Sequence, residues 1–363
     1  MPARPQFPPS FPRRPRRGSV VLFVLGVILL TAFLLTRLIE RAGTELLAET
    51  KSAGRGTLRD EAYSALEVSL AVLADASAND GGLHAPQQGW GDPLVYAGYE
   101  PPAGFGITVT FEDETGKLSL ASTGEVELEQ YLGTIGATAI EAERLTDALM
   151  VWTKADFLPA SSEADPRTYE SSALPYAPPF RAIRSFDELR AIAVVRELFF
   201  DEDGRWTELG EKFRTDASLH SFNRVNVNSA RLSVLMALGV EPAQAGLVAD
   251  EMALGRDPTR EPKFYRTINE AAAVHGATLA QSTLGADVQC LRVHVAVQRG
   301  FHVFHLEAVV QPGGGGGAAP AAAPPTDPNA RPPTPVDPRA ITRKSIDYPF
   351  RILELRETDG PVQ

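Results

Sequence analysis

The sequence predicts an α+β protein, and three observations carry that prediction. Residues 19 to about 75 are first continuously apolar and then apolar at helical spacing. Residues 105–122 and 291–310 each alternate apolar and polar side chains on both halves of a turn, the pattern of antiparallel strands half-facing a core. Between them, residues 125 to about 283 change to helical periodicity broken by loops.

The chain has 363 residues, enough for two modest domains plus tails. Its formal net charge is -11. Five arginines (Arg4, Arg13, Arg14, Arg16, Arg17) lie before Ser19 with no acid among them, which leaves 30 basic against 46 acidic residues in the rest. An acidic body disfavours nucleic acid, because phosphate binding needs an excess of Lys and Arg. The lone Cys290 closes no intrachain disulfide. There is no G-x-S-x-G elbow, HExxH motif or GxGxxG loop, so a hydrolase or nucleotide enzyme is the weakest reading.

The N-terminal twelve residues, MPARPQFPPSFP, are too proline-rich for a helix. Residues 19–36 then give about 27 Å of apolar helix, enough to span a hydrocarbon core. The arginines before them place the N-terminus in the cytoplasm by the positive-inside rule. A cleaved secretory signal has a shorter core and a small-x-small site, where this chain has Arg37-Leu38-Ile39-Glu40. A plain membrane anchor explains the hydropathy by itself. Beyond the span, Leu58, Ala62, Leu66, Leu70 and Leu73 form one apolar stripe, with Arg59, Asp60, Glu61 and Ser64 on the other side. A continuous helix to about residue 75 would be roughly 85 Å long, with Gly54 and Gly56 favouring a bend.

Residues 76–104 read as a Gly/Pro-rich loop in which Trp90 is a packing anchor. In the first predicted hairpin, Ile107, Val109 and Phe111 face one way, Leu118 and Leu120 return, and Asp113 to Gly116 turn, with Gly116 suited to positive φ. Glu112, Asp113 and Glu114 are adjacent and so aim in different directions. A solvated turn outweighs a metal site there.

In the helical stretch, Leu145, Leu149 and Trp152 share a face, and Ser185 with Glu188 forms a predicted capping box. The DEDGRW segment from Asp201 to Trp206 fails as an EF-hand, since positions six and twelve are Trp206 and Lys212, and reads as a surface turn. Asn226-Val227-Asn228-Ser229-Ala230 opens a predicted helix capped by Asn228 or Ser229, with Leu232, Leu235 and Leu238 on its core face. Gly239 to Pro242 turns into a second helix over residues 243–254. For the second alternating segment, an Arg299-Gly300 turn sets partner numbers summing to 599, so that Val295 faces Phe304, Arg292 faces Glu307 and His294 faces His305. The histidine pair lacks a third metal ligand and reads as exposed polar surface. Residues 312–338 are low-complexity Gly/Pro/Ala sequence, a flexible linker or long loop. Residues 348–357, YPFRILELRE, form a predicted last strand.

These residues resemble a known family. Arg16-Arg17-Gly18, then Ser19 and the apolar run, is similar to the leader of type IV pilins and type II secretion pseudopilins. The resemblance implies prepilin peptidase cleavage between Gly18 and Ser19 and N-methylation of Ser19. Most of the family has a glutamate at mature position five. Here that position is Phe23, and the K-type pseudopilins characteristically lack the glutamate. The D-E-x-G-K phrase at Asp113 to Lys117, the LTDALMVW and SFDEL segments and the module at 225–257 follow in the order of that type. The module also resembles the helix-hairpin-helix of DNA-uptake proteins. Glu241 in place of its second hairpin glycine, and a second helix with no basic residue before Arg256, argue against phosphate binding.

The chain is therefore identified as a member of the minor pseudopilins similar to general secretion pathway protein K, with a membrane-tethered helix-hairpin-helix DNA-binding protein as the alternative. The implied fold is a spine helix packed on a small antiparallel sheet, with a large inserted all-helical domain. On that reading 1–18 is the leader, 19–36 the transmembrane helix, and 37–76 its periplasmic amphipathic part. Residues 77–122 hold the loop and first hairpin, and 123–285 the helical domain with its module at 225–257. Residues 286–311 are the second hairpin, 312–346 a flexible segment and 347–357 the last strand. The implied partners are the I-type and J-type minor pseudopilins, other pseudopilus subunits, the prepilin peptidase and the inner membrane, with no nucleic acid. The implied location is the bacterial inner membrane, single-pass, at the pseudopilus tip. No catalytic, cofactor-binding or metal residue is assigned. Some family members bind calcium in the helical region, so the resemblance leaves calcium open as a ligand without assigning residues to it.

Overall fold

The structure is a computed structural model that describes residues 18–161, 167–170, 176–255, 263–275, 283–313 and 349–361. The basic leader before Gly18 and most of the Gly/Pro/Ala segment (314–346) lie outside the described residues. The chain divides into two units, Met1–Thr57 and Leu58–Gln363.

Helix α1 (Gly18–Asp80) supplies the described part of the first unit and the start of the second. It continues through Gly54 and Gly56 and ends later than the periodicity predicts, at Asp80. In the first unit its side chains from Val21 to Thr44 are exposed. In the second unit the predicted stripe is buried: Leu58, Ala62, Leu66, Leu70 and Leu73 all lie in one core.

That core is completed by a four-stranded antiparallel sheet of order β1-β6-β7-β8. Its strands are β1 (Gly106–Asp113), β6 (Leu291–Arg299), β7 (His302–Pro312) and β8 (Phe350–Pro361). Val293, Val295, Val297, Phe304, Leu306 and Ala308 present the apolar face to α1. Trp90 is the anchor it reads as in the sequence, 1% exposed and edge-on to Phe111 at 5.2 Å. Arg59 and Tyr63 of α1 both bond Glu357 of β8, Tyr63 Oη donating at 2.6 Å, and so tie the last strand to the spine.

Helix α2 (Pro93–Tyr96) precedes β1, and between β1 and β6 in sequence a second core gathers helices α3 (Glu125–Ile135), α4 (Ala139–Thr153), α5 (Arg167–Glu170), α6 (Ala193–Phe199), α7 (Glu208–Asp216), α8 (Leu232–Ala237), α9 (Pro242–Gly255) and α10 (Ile268–His275). Helix α4 opens with a true capping box between Thr138 and Glu141. Two short parallel ladders brace this region. Strand β2 (Leu118–Ser119) pairs with β3 (Ala217–Ser218), and β4 (Val225–Asn226) pairs with β5 (Leu284–Gly285).

Several local expectations are corrected. The first alternating segment is no hairpin: β1 pairs with β6, Val109 opposite Val295, while Leu118 and Ser119 leave to pair with Ala217 and Ser218. A 3-10 turn at Glu114–Gly116 makes that departure. Gly116 does not adopt positive φ. It is glycine because Ser229 presses against it, and a Cβ there would lie 2.4 Å from Ser229 Oγ and 2.7 Å from its carbonyl carbon. The second hairpin does form, but in another register. Partners sum to 601, with Val295 opposite Leu306 and His294 opposite Glu307. Its turn is Gly300-Phe301, because Gly300 can take φ +61° where Arg299 cannot without strain. Arg292 still meets Glu307, now diagonally.

Ser185 caps a 3-10 turn by accepting from Asp187 N, while Glu188 accepts from Arg184 N and Trp152 Nε1 rather than closing a box. Residues 225–226 are strand, not helix start. Helix α8 begins at Leu232, whose side chain is 44% exposed, and the core face is Val234, Leu235 and Ala237. Asp201 to Trp206 is the expected surface turn, closed by Arg205 N donating to Asp201 Oδ1 at 2.7 Å. β8 runs past the predicted end to Pro361, with a bulge opposite Val309/Val310.

Gly116→Ala is expected to lower unfolding free energy by about 1–3 kcal/mol through overpacking against the Ser229 backbone, read as a fall in thermal midpoint.

Candidate functional site

Two places concentrate chemistry that packing alone does not require. The first is the start of α1. Gly18 opens the helix, Ser19 follows it, and Phe23 is 72% exposed. From Val21 to Thr44 the helix has mean hydropathy 2.5 and none of its residues is buried, so by length and composition it can cross a membrane. Arg37 at the far border lies over the Phe33 ring and 3.6 Å from Glu40. Thr31 and Thr36 return their hydroxyls to backbone carbonyls of the preceding turn, so neither exposes an unpaired donor along the span. The three sequence-predicted site residues thus share one helix turn or two, while the leader arginines lie outside the described residues.

The second place went unread in the sequence. The acids read there as a solvated turn are in fact the joint between the two cores. Glu114 is 1% exposed. Its carboxylate accepts from Ser218 Oγ at 2.6 Å, Arg292 Nε at 2.7 Å and Lys117 Nζ at 3.0 Å. Burial would raise its pKa, but the charges of Lys117 and Arg292 and the hydrogen bonds outweigh burial and hold it below the usual value. Thr115 Oγ1 accepts from the backbone N–H groups of Gln289 and Cys290 and donates to Cys290 O. Glu112, at the rim, is lowered to about 2, chiefly by the His294 ring and then by Lys117. Cys290, buried beside Glu114 and Asp113, is pushed up to about 12, mainly by burial, so its thiol stays protonated.

Asn226, Asn228 and Ser229 are drawn into this joint rather than capping a helix. Asn226 Nδ2 donates to Asp113 Oδ2 at 2.7 Å and to His84 O at 2.8 Å. Asn228 Nδ2 donates to Tyr265 O at 2.9 Å, and Tyr265 N returns a bond to Asn228 Oδ1 at 2.7 Å. A partial signal was present in the sequence: Val225 and Val227 alternate with Asn226 and Asn228, the spacing of a strand rather than of a helix start.

Metal and phosphate readings fare differently. Among the described residues no group of three His, Cys, Asp or Glu side chains is arranged to hold a metal ion. His294 and His305 do not pair. His294 lies between Glu112 and Glu307 at 3.7 and 3.6 Å, and His305 is opposite Ala296. At the α8–α9 hairpin Gly239 takes φ +83°, but exposed Glu241 follows, and Arg231, the only basic residue between Asn226 and Gly255, is paired with Asp216 at 2.9 Å. A DNA-binding hairpin finds no support in that charge pattern.

The described residues thus combine a helix long and apolar enough to cross a membrane with a mixed helix-and-sheet head. Residues 116–202 match the family of type II secretion system protein K, which is the family anticipated from the order of motifs in the sequence. The fold agrees: a chain of the crystal structure of the GspK–GspI–GspJ complex from the enterotoxigenic Escherichia coli type 2 secretion system superposes with a TM-score of 0.54 at 13% identity, covering 85% of this chain and 100% of that one. No curated protein sequence matches the chain.

Glu114→Ala should cost about 3–5 kcal/mol, because Ser218 and Arg292 lose their shared buried acceptor and Arg292 is left with half-buried Glu307 and the more distant Glu112. In the intact protein this acid's folded pKa lies below its unfolded one. Its stabilisation is therefore fully present above about pH 4.5 and fades as pH falls through the folded value. Chemical denaturation from pH 7 to pH 3 measures both effects, and an equal loss in wild type and variant over that range would contradict them.

Proposed function

We propose that this chain is a minor pseudopilin of a type II secretion system and acts by assembly rather than catalysis. The sequence match over residues 116–202 carries this reading, and the exposed apolar start of α1 is the feature it requires. On this reading a prepilin peptidase cleaves between Gly18 and Ser19, Ser19 is N-methylated, and the helix remains in the inner membrane with its head in the periplasm. The mature helix then leaves the bilayer to pack among other spine helices. Phe23 in place of a glutamate suits a subunit with none above it, since it offers no carboxylate to the N-terminal amine of a next subunit. The solved complex contains GspI and GspJ beside GspK, which makes I-type and J-type minor pseudopilins the partners to test. The helical residues between β1 and β6 form, on this proposal, a domain inserted into the pseudopilin head. Its bulk would obstruct stacking beneath another subunit and so suits a cap that initiates the pseudopilus.

Coexpression with a prepilin peptidase is expected to yield a mature chain beginning at methylated Ser19, seen by intact mass. Gly18→Val should leave Met1 in place. A wild-type chain that keeps Met1, or is cut elsewhere, would overturn the processing part of the proposal. Coexpression of the head with I-type and J-type heads should give a complex by size exclusion with light scattering, and separate elution of all three would count against a tip role.

A further inference from the structure

Among the described residues the sheet has two strands that pair on one side only, β8 and β1, and these edges are unlike. β8 is broken by a bulge opposite Val309/Val310 and carries Arg351, Glu354, Arg356, Glu357 and Asp359, the irregularity and charge that keep an edge from pairing. β1 follows β6 without a register break and has no proline and no charge before Glu112. The ladder tells which of its backbone groups are free. Glu114 N donates to Cys290 O in the register that joins β1 to β6, so the even-numbered residues of β1 turn their backbone groups toward β6. The N–H and C=O groups of Ile107, Val109 and Phe111 therefore point to the open edge, where none of them meets a backbone partner among the described residues. Thr108 and Thr110, between them, are exposed.

At the Phe111–Asp113 end this edge borders a cavity of about 430 Å³, whose other walls include Pro86, Gln87 and Leu232. Phe111 and Asp113 lie two apart on the strand and share a face. The other charged groups of the cavity are matched: Lys117 with Glu112 and Glu114, Arg231 with Asp216, and His84 with Asp287. Asp113 alone has no counter-charge among the described residues. Its donors, Asn226 Nδ2, Ser229 Oγ and Thr115 N, are neutral, and they favour its carboxylate form.

We infer that the open edge of β1 and the cavity beside it form a docking site for an extended segment of a partner chain, which joins the sheet as a further strand and brings a lysine or arginine to Asp113. Strand addition satisfies the outward backbone groups of Ile107, Val109 and Phe111, and alternate side chains supply the selection. The residue that lies beside Asp113 points to the same face as Asp113, into the cavity, and there its cation finds the carboxylate that lacks one. The residues two and four along lie beside Phe111 and Val109 and are apolar. Those between them share the exposed face of Thr108 and Thr110 and are polar.

The test is fluorescence anisotropy with the full chain in detergent micelles and a labelled peptide probe, Lys-Thr-Val-Thr-Val-Thr-Lys, which reads alike in both directions and so fits either strand polarity. Saturable binding is expected. Glu in place of both Lys residues should weaken it about tenfold, the size of one close charge pair made repulsive at a partly buried site. N-methylation of the Val and Thr amides removes the donors that strand addition needs and should abolish binding. Asp113→Asn should bring the Lys and Glu probes to similar affinity, and if that variant does not fold, the Glu and methylated probes still decide. No binding to the wild type, a methylated probe that binds as well as its parent, or a Lys preference kept in Asp113→Asn overturns the inference. An edge already filled by a second copy or by other residues of this chain leaves the probe unbound and overturns it too.

Discussion

The head depends on one buried carboxylate. Glu114 sits where the strand that lies along the spine gives way to the ladder that opens the helical core. It is held by Ser218 from the helical side and by Arg292 from the sheet. Were this turn solvated, the two cores would lose the bonds that Ser218 and Arg292 make through it. Because it is buried and fully bonded, the angle between them is set by directional contacts. Lys117 and Glu307 complete the set by occupying what Glu114 and Arg292 leave over.

The division of labour between the cores follows from composition. The spine-and-sheet core is mostly Leu, Val and Ala, which pack a helix stripe onto a pleated face, with Trp90, Phe304 and Phe350 among them. The helical core has Phe213 lying against both Tyr131 and Phe199. Between them lies a polar layer of Asp113, Glu114, Thr115, Asn226 and Asn228. An interface of this kind fixes geometry through hydrogen bonds and contributes less by burial than an apolar one would.

Periodicity was a good guide where a side chain's surroundings follow from its own element. The α1 stripe, the β6 and β7 alternation and the Trp90 anchor were all legible, and the order of motifs pointed to the family that residues 116–202 match. It failed where the deciding neighbour is distant in sequence. Ile107, Val109 and Phe111 looked like half a hairpin with Leu118, but the strand beside them comes from residues 291–299. Gly116 looked like a turn glycine, and the reason for it is Ser229, more than a hundred residues on. The hairpin register slipped by two because Arg299-Gly300 was read as the turn, when glycine is needed at its first position. Glu114 was misread for the same reason as Gly116: an acid run signals solvent unless Arg292, 178 residues away, is known to be waiting.

The pairing of β1 with β6 has a consequence for the order in which the head can be made. β1 is complete at Asp113, yet its partner ends at Arg299 and the sheet's last strand at Pro361. A chain emerging from its N-terminus therefore holds Ile107, Val109 and Phe111 without a sheet until the helical residues have all appeared. Contacts of such long sequence separation close slowly, since the loop entropy is lost before the contacts form. The helices, whose contacts are nearer in sequence, are placed to fold first and bring the two ends of the sheet together. The head is thus assembled from the inside of the chain outward, and a helical core that fails to fold leaves the spine stripe bare.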